Sequence, residues 1–445
     1  MRKTARNAAV QALLQVTENE GYSNIVLDKV LRATQLEPRD SALTSTIFYG
    51  VLENRLTLDF YLANCLREPD KKLDAEVEAI LHTAAYQILY LDKIPDSAAV
   101  NEAVEMAREW KKSSSAGFVN AVLRTLLRKK DGLKLPAGMD APSLSIRYSV
   151  PEGLIALWEN SYGRENTHRI LAAFQEKPKL YIRVNRLKVT PGELAESLKN
   201  AGISVYPSDL SNDTLILENC GTPTSLPQFQ EGLFHVQDLS AQLVCESMAP
   251  QPGEHICDCC AAPGGKTFTI AELMGNRGNV TSLDLYKGRV KLIQAGAERL
   301  GLTCVDAKVN DAQKGFDGIP AADRVLCDVP CSGYGVIRRK PEIRYKDVST
   351  IAELPKIQYE ILERASGLVK TGGLLVYATC TLNPAENGEV ARRFLENNGD
   401  FEPFAIQLPP AVTRAVEEPG NMLTMMPFAG GSDGFFTAIF RKKQT

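Results

Sequence analysis

The sequence predicts a multidomain fold: an all-α N-terminal domain, a small α+β middle module and a C-terminal α/β domain on a parallel, doubly wound sheet. Three observations predict it. The chain has 445 residues, well past the size at which a single hydrophobic core stops growing. Its first 130 residues place apolar side chains at the helical period, with little strand-like alternation. From His255 onward strand-like and helix-like segments alternate, the pattern of βαβ units.

In the first region, residues 1–130, the stripes Leu58, Leu62, Leu66; Val77, Ile80, Leu81, Ala84, Ile88, Leu91; and Val119, Val122, Leu123, Leu126 each line one helix face. Residues 131–147 collect Gly132, Pro136, Gly138 and Pro142 and read as a linker. Residues 148–236 form the α+β module. Its helices are expected near 153–161 and 193–200, with Gly202 as a stop signal, and its strands near 181–185, 214–217 and 232–236. Residues 237–445 form the α/β domain. Strands are expected at 255–259, 280–285, 304–309, 324–328, 374–379 and 435–441, with helices from about Lys266, at 290–300 and at 351–369. Right-handed crossovers then put any ligand beyond the carboxyl ends of the parallel strands.

Hydrophobic residues make up 44% of the chain and charged residues 24%, which excludes a disordered chain, a fibre or a disulfide miniprotein. No stretch approaches the roughly 20 apolar residues that span a bilayer, and the basic start Met1–Arg6 leads into a mixed helix. A cytoplasmic protein is expected, with no membrane association and no obligate protein partner evident. The net charge is only −3, but basic residues cluster in three runs. Arg108 to Lys130 holds seven basic residues against Glu109 alone. Lys177 to Lys188 holds five (Lys177, Lys179, Arg183, Arg186 and Lys188) and no acid. Arg338, Arg339, Lys340, Arg344 and Lys346 surround Glu342. Three such runs on a mildly acidic chain favour a polyanionic partner.

Four features carry chemistry. The run Cys260-Ala261-Ala262-Pro263-Gly264-Gly265-Lys266-Thr267 follows the first strand of the α/β domain; small residues there let backbone approach a ligand, at a helix start rich in free N–H groups. Its Gly-Lys-Thr ending lacks the first glycine of a P-loop, since Cys260 stands in that place, and no G-x-G-x-x-G is present. Asp284 ends the second strand, where an acid typically accepts from ribose hydroxyls, so a nucleoside-containing cofactor is expected; Asp311 follows the third strand. Asp328-Val329-Pro330-Cys331-Ser332-Gly333 leaves the fourth strand, and Thr379-Cys380-Thr381 leaves the fifth. Two thiols at neighbouring strand ends suit attack on a pyrimidine. A thiolate added to C6 makes C5 nucleophilic towards a methyl donor, and an Asp near N3 favours that addition. An unperturbed thiol is only about 3% ionised at pH 7, so a basic site or a helix terminus should help. Zinc is not expected at Cys257, Cys259 and Cys260: the first two share a strand face, the third faces away, and no fourth ligand stands at a matching spacing.

These motifs resemble the S-adenosylmethionine-dependent RNA cytosine-C5 methyltransferases of the Sun or Fmu group, and the resemblance spans almost the whole chain. Arg338-Arg339-Lys340-Pro341-Glu342-Ile343-Arg344-Tyr345 and Asp433-Gly434-Phe435-Phe436 are also similar to that group. The resemblance implies a NusB-like RNA-binding first domain, an RNA-binding middle module and a Rossmann-like catalytic domain. It implies that residues Cys260 to Lys266 hold S-adenosyl-L-methionine, Asp284 its ribose and Asp311 its adenine end. Asp328 would lie near the methyl donor and the target base, Cys380 would be the nucleophile, and Cys331 would assist release of the product. Only the resemblance assigns attack to Cys380: in DNA cytosine methyltransferases the thiol of a Pro-Cys pair attacks, and here that is Cys331. Val329 stands where the group often has Ala, a small apolar difference. The implied substrate is 16S ribosomal RNA, by analogy cytosine 967 in the RNA's own numbering. A different RNA such as tRNA, or a non-catalytic RNA-binding or antitermination role, are the alternatives.

Overall fold

The computed structural model describes residues 2–19, 22–346, 351–408, 412 and 420–444. It divides into two compact units, Met1–Asn160 with Arg339–Lys346, and Ser161–Arg338 with Asp347–Thr445.

The first unit is helical: α1 (Ala5–Asn19), α2 (Ser23–Thr34), α3 (Pro38–Ala63), α4 (Ala75–Tyr90), α5 (Asp96–Glu109), α6 (Ala116–Lys129), α7 (Ala141–Tyr148) and the start of α8 (Glu152–Ala173). The expected stripes are the ones buried. Leu58, Ile80, Leu81, Ala84, Val119, Leu123 and Leu126 have no measurable exposure and share one apolar cluster. The stretch read as a linker contains α7, because Asp140 caps the Ser143 N–H and Pro142 occupies the first turn. α8 runs past the expected stop to Ala173, bending at Gly163, whose φ of +77° only glycine adopts easily. Residues Pro341–Tyr345 make a short 3₁₀ turn in this unit. There Glu342 accepts from the Ser23 N–H, and the Arg344 guanidinium donates to the carbonyls of Glu53, Tyr148 and Ser149.

The second unit holds two sheets. The smaller is antiparallel, in the order β2-β3-β1-β4, from β1 (Leu180–Val184), β2 (Ser204–Pro207), β3 (Thr214–Glu218) and β4 (Phe234–Val236). It packs on α9 (Pro191–Asn200), which opens with a capping box between Thr190 and Glu193. α10 (Pro227–Gln230) and α11 (Leu239–Ser247) lead on to the larger sheet. That sheet comprises β5 (His255–Asp258), β6 (Asn279–Asp284), β7 (Val305–Val309), β8 (Ala322–Asp328), β9 (Val369–Thr379), β10 (Phe401–Pro403), β11 (Met422–Met425) and β12 (Phe435–Lys442). Its order is β10-β12-β9-β8-β5-β6-β7, with β11 on β12. The five strands from β9 to β7 are parallel, and β12 is antiparallel to β9. Four helices serve these strands: α12 (Gly265–Leu273), α13 (Lys287–Leu300), α14 (Leu354–Ser366) and α15 (Gly388–Asn397). Both faces of the sheet carry apolar clusters, as a doubly wound sheet requires. From β5 the chain proceeds to β6 and β7 on one side, and later to β8 and β9 on the other. The crevice beyond Asp258 and Asp328 is therefore the topological switch point. Among the described residues no helix is long and apolar enough to cross a membrane.

In the second basic run one residue is drawn inside. Arg183 is 1% exposed and donates to Glu246 at 2.6 Å and Asp213 at 3.2 Å, while Lys188 donates to the carbonyls of Glu231 and Arg299. Partners from distant segments thus draw Arg183 inside, while Lys177, Lys179, Arg186 and Lys188 of the same run stay exposed. In the first run, likewise, Lys112 pairs with Asp74 and Glu76, and Lys130 with Asp96.

Candidate active site

Four strand ends meet at the switch point, and each carries one of the expected groups. After β5 the chain makes a tight turn tied to its neighbours: Cys259 N–H donates to Leu326 O and Ala261 N–H to Leu283 O. Gly264 caps α12 at φ +110°, and a Cβ there would lie 2.4 Å from the Phe268 ring, so this position needs glycine. Inside the turn Asp258 is fully buried and accepts from Thr267 Oγ1 at 2.8 Å. Burial, with the nearby Asp328 charge, raises its carboxyl to about 7 against the opposing pull of Thr267 and Lys266.

Asp284 ends β6 nearly buried. Its carboxylate accepts from the N–H groups of Ala262 and Tyr286 and faces Arg289 at 3.3 Å; Arg289 also donates to Ala262 O. This acid therefore locks its own strand end to the Cys260–Gly265 turn. Asp311 follows β7 at the same edge, since the Asn310 N–H donates to Asp284 O. Its side chain caps Gln313 N–H and faces Lys314 at 3.2 Å, a local turn role.

The remaining groups converge closely. Lys266 Nζ donates to Asp328 Oδ2 at 2.7 Å and lies 4.8 Å from the Phe435 ring centroid. Burial works to lower this lysine, but the Asp328 carboxylate, helped by the thiols of Cys245 and Cys380, outweighs it and leaves the ammonium raised above its ordinary value. The sulfurs of Cys331 and Cys380 stand 3.1 Å apart, both part-exposed. The hydrogen bond to Cys380 first, then burial, then the charges of Cys380, Glu386 and Asp328 push the Cys331 thiol well up. The backbone that presents Cys380 is pinned by glycine: Gly335 N–H donates to Cys380 O at 3.0 Å, and Gly434 N–H to Gly335 O at 2.9 Å. A Cβ on Gly335 would sit 1.9 Å from Gly434 O. A Cβ on Gly434, in the Asp433-Gly434-Phe435-Phe436 run, would in turn meet Gly335 Cα and Leu382 Cγ at 2.9 Å, so both positions need glycine.

A buried polar bracket behind the thiols is absent from the sequence reading. Glu386, with no exposed surface, accepts from Ser332 N–H at 2.8 Å and from the side-chain amides of Gln358 and Asn383, both at 2.9 Å. Gln358 also donates to Pro330 O, Ser332 Oγ meets Thr381 Oγ1 at 2.7 Å, and Asn387 bonds Thr379 and Thr381. The one signal in the sequence is the turn-forming run Asn383-Pro384 just past Cys380.

The arrangement holds a thiol pair, a carboxylate and an ammonium at the mouth of a nucleotide-type crevice, the set that covalent chemistry on a base requires. The family model for 16S rRNA methyltransferase RsmB/F matches residues 245–441, that for the NusB family residues 3–128, and that for the RsmF/B-like ferredoxin-like domain residues 150–222. The chain is 40% identical to the "Probable ribosomal RNA small subunit methyltransferase B" of Bacillus subtilis (strain 168), over 100% of both chains. It is 36% identical to the "Ribosomal RNA small subunit methyltransferase B" of Vibrio cholerae serotype O1, over 98% of this chain and 97% of the relative. Among solved structures it is similar to PH0851 at 25% identity, with a TM-score of 0.83 and 99% of each chain covered.

Proposed function

The chain belongs to the 16S rRNA methyltransferase RsmB/F family, and on that premise we propose that it methylates C5 of a cytosine in 16S rRNA, by analogy cytosine 967, through a covalent bond between Cys380 and C6. It is an S-adenosylmethionine-dependent enzyme with a NusB-like helical domain, a ferredoxin-like middle domain and a C-terminal methyltransferase domain. We place it in the cytoplasm with its RNA.

The observation that carries the reading is the 3.1 Å approach of Cys331 and Cys380 beside the Lys266–Asp328 pair. S-adenosylmethionine supplies an electrophilic methyl group. The fit of the crevice to it rests on the small-residue turn 260–265 and on the buried carboxylate of Asp284 fixed against that turn. Lys266 stabilises the Cys380 thiolate, whose sulfur adds to C6 of the splayed-out cytosine. Asp328, held by Lys266, faces the base edge and relays the proton lost by the Cys380 thiol to N3, which draws electrons from C6; that proton goes back to Cys380 when the C6–S bond breaks. With the methyl on C5, the C5–H electron pair closes the ring double bond and its proton passes to water. The C6–S pair returns to Cys380, and the Cys331 thiol donates a hydrogen bond to the departing sulfur. Asp311 stands at the adenine edge.

The test is a pair of substitutions incubated with 16S rRNA and cofactor, then run on a denaturing gel. Cys331→Ala is expected to accumulate an RNA–protein adduct, and Cys380→Ala to form none. An adduct with Cys380→Ala instead would reverse the two roles. Bisulfite sequencing of ribosomal and transfer RNA from a deletion strain locates the nucleotide; loss of the mark only in tRNA would overturn the substrate assignment.

A further inference from the structure

Glu386 is a buried carboxylate with no place in the steps above. Its two oxygens accept from three N–H groups and meet no hydroxyl donor, a set that suits the ionised form. Two of these contacts close around Cys331. Ser332 N–H is bound directly, and Gln358, bound to the same oxygen, also grips Pro330 O. The residues on either side of Cys331 are thus fixed, and only its side chain is left to move. We propose that Glu386 is a positioning residue for Cys331: it holds the 330–332 loop so that this thiol faces the Cys380 sulfur, and its negative charge keeps the thiol in the neutral, hydrogen-bond-donating form.

The charged and titratable groups that face Cys331 support this division. They are Cys380 beyond β9, Asp328 at the end of β8, Tyr377 within β9 and Glu386 itself. All of them become anions or are anions already. In a site shielded from water a further negative charge is costly, so the thiol stays protonated. The Lys266 ammonium is bound to Asp328 and interacts favourably with an ionised Cys380. Two sulfurs 3.1 Å apart are therefore given opposite tasks by opposite neighbours: Cys380 ionises and attacks, and Cys331 stays neutral and donates as Cys380 leaves. The inference rests on the reading of Cys380 as nucleophile, and its first test does not use that reading.

In a Cys380→Ser background, Cys331 is alkylated with iodoacetamide across a pH series and quantified by peptide mass spectrometry. Adding Glu386→Gln is expected to lower the half-alkylation pH of Cys331 by about one unit or more, and Glu386→Asp to restore it, by the electrostatics of a neighbouring like charge. An unchanged profile in Glu386→Gln overturns the proposal. With both thiols present, Glu386→Gln is expected to cut kcat on 16S rRNA about tenfold while KM stays within about twofold, with adduct accumulating. Should Glu386→Gln not fold, Gln358→Met keeps the anion but frees Pro330; it is expected to lower kcat without moving the alkylation profile. Unchanged kcat in that variant counts against the positioning role. Normal methylation by Cys380→Ser alone would sink the nucleophile reading while leaving the alkylation result to stand.

Discussion

Cys257 and Cys327 lie within β5 and β8, and Cys259 one residue past β5, whereas Cys331 and Cys380 lie on the loops that leave β8 and β9. The first three are at most 1% exposed, sit in one apolar cluster, and bring the sulfurs of Cys257 and Cys259 to 3.9 Å. The second two are part-exposed, 3.1 Å apart, and share their surroundings with Lys266, Asp328 and Glu386. The Cys259 thiol is raised by burial, and the Cys331 thiol by its bond to Cys380 and then by burial. Proximity of sulfurs is thus common to both. The difference is a charge within reach and an opening to substrate. The inner Cys259 thiol shares its cluster with Val325, Leu375 and Phe436 and bonds the thiols of Cys257 and Cys327, and a thiol without a cation stays neutral and inert.

The hardest way to break this contrast is Cys380→Ser. If sulfur at the strand end is the reacting atom, methyl transfer to 16S rRNA should fall on the order of 10³-fold or more, measured by incorporation of labelled methyl. A hydroxyl at that position ionises far less readily than a thiol. Retention of normal activity would place Cys380 with the inner cysteines.

The second probe lies between the two groups. Asp258 ends the strand that carries Cys257, and its carboxyl is raised from 3.8 to about 7. The native state then keeps a proton that the unfolded chain has already lost. Stability from this residue is therefore greatest in acid and declines as the pH rises from about 4 to about 7. Between about pH 5 and about pH 8 the decline should reach roughly 2–3 kcal/mol by linkage. Asp258→Asn should remove that slope in urea unfolding followed by circular dichroism. Parallel slopes in the two proteins would mean that Asp258 titrates like a surface acid.

The third probe is steric. Gly335→Ala drives a Cβ to 1.9 Å from Gly434 O, where backbone faces backbone and no side chain can turn aside. The loop that supports Cys380 must shift, at a cost of about 1–3 kcal/mol. Loss of activity is expected to exceed loss of stability, because the Gly335 N–H holds Cys380 O. A melting temperature that falls while kcat is kept would separate that hydrogen bond from catalysis.

The same contrast explains what was legible in the sequence. Strand ends announce themselves locally: an apolar run, then Asp, then Pro, Gly or small residues, as at 256–265 and 326–333. Cys331 and Cys380 could be placed at one sheet edge from that pattern, and their 3.1 Å approach follows from the pairing of β8 with β9. The bracket was not legible. Glu386 lies six positions past Cys380 and Gln358 on α14, and nothing local distinguishes a carboxylate that will meet the Ser332 N–H from one that caps a turn. One residue of a basic run was illegible for the converse reason. Arg183 lies in a stretch without acids, and Asp213, Glu246 and Glu272 reach it from three distant segments. Local sequence reports turns and strand ends well, and tertiary polar pairing poorly.

The smallest effect is expected at the inner group. Cys259→Ala removes one sulfur from an apolar cluster where it touches Cys257 and Cys327. The loss is one buried heavy atom and a small cavity, so stability should fall by roughly 1 kcal/mol. The backbone of residue 259 is held independently of its side chain, by its N–H on Leu326 O, so the cofactor turn that follows should keep its shape. Methylation within about twofold of the parent is therefore expected even though Cys259 precedes Cys260 in the motif. A large drop in kcat with unchanged melting would mean that a thiol sealed beneath the sheet takes part in the reaction, and the distinction between strand-end and strand-interior sulfur would fail.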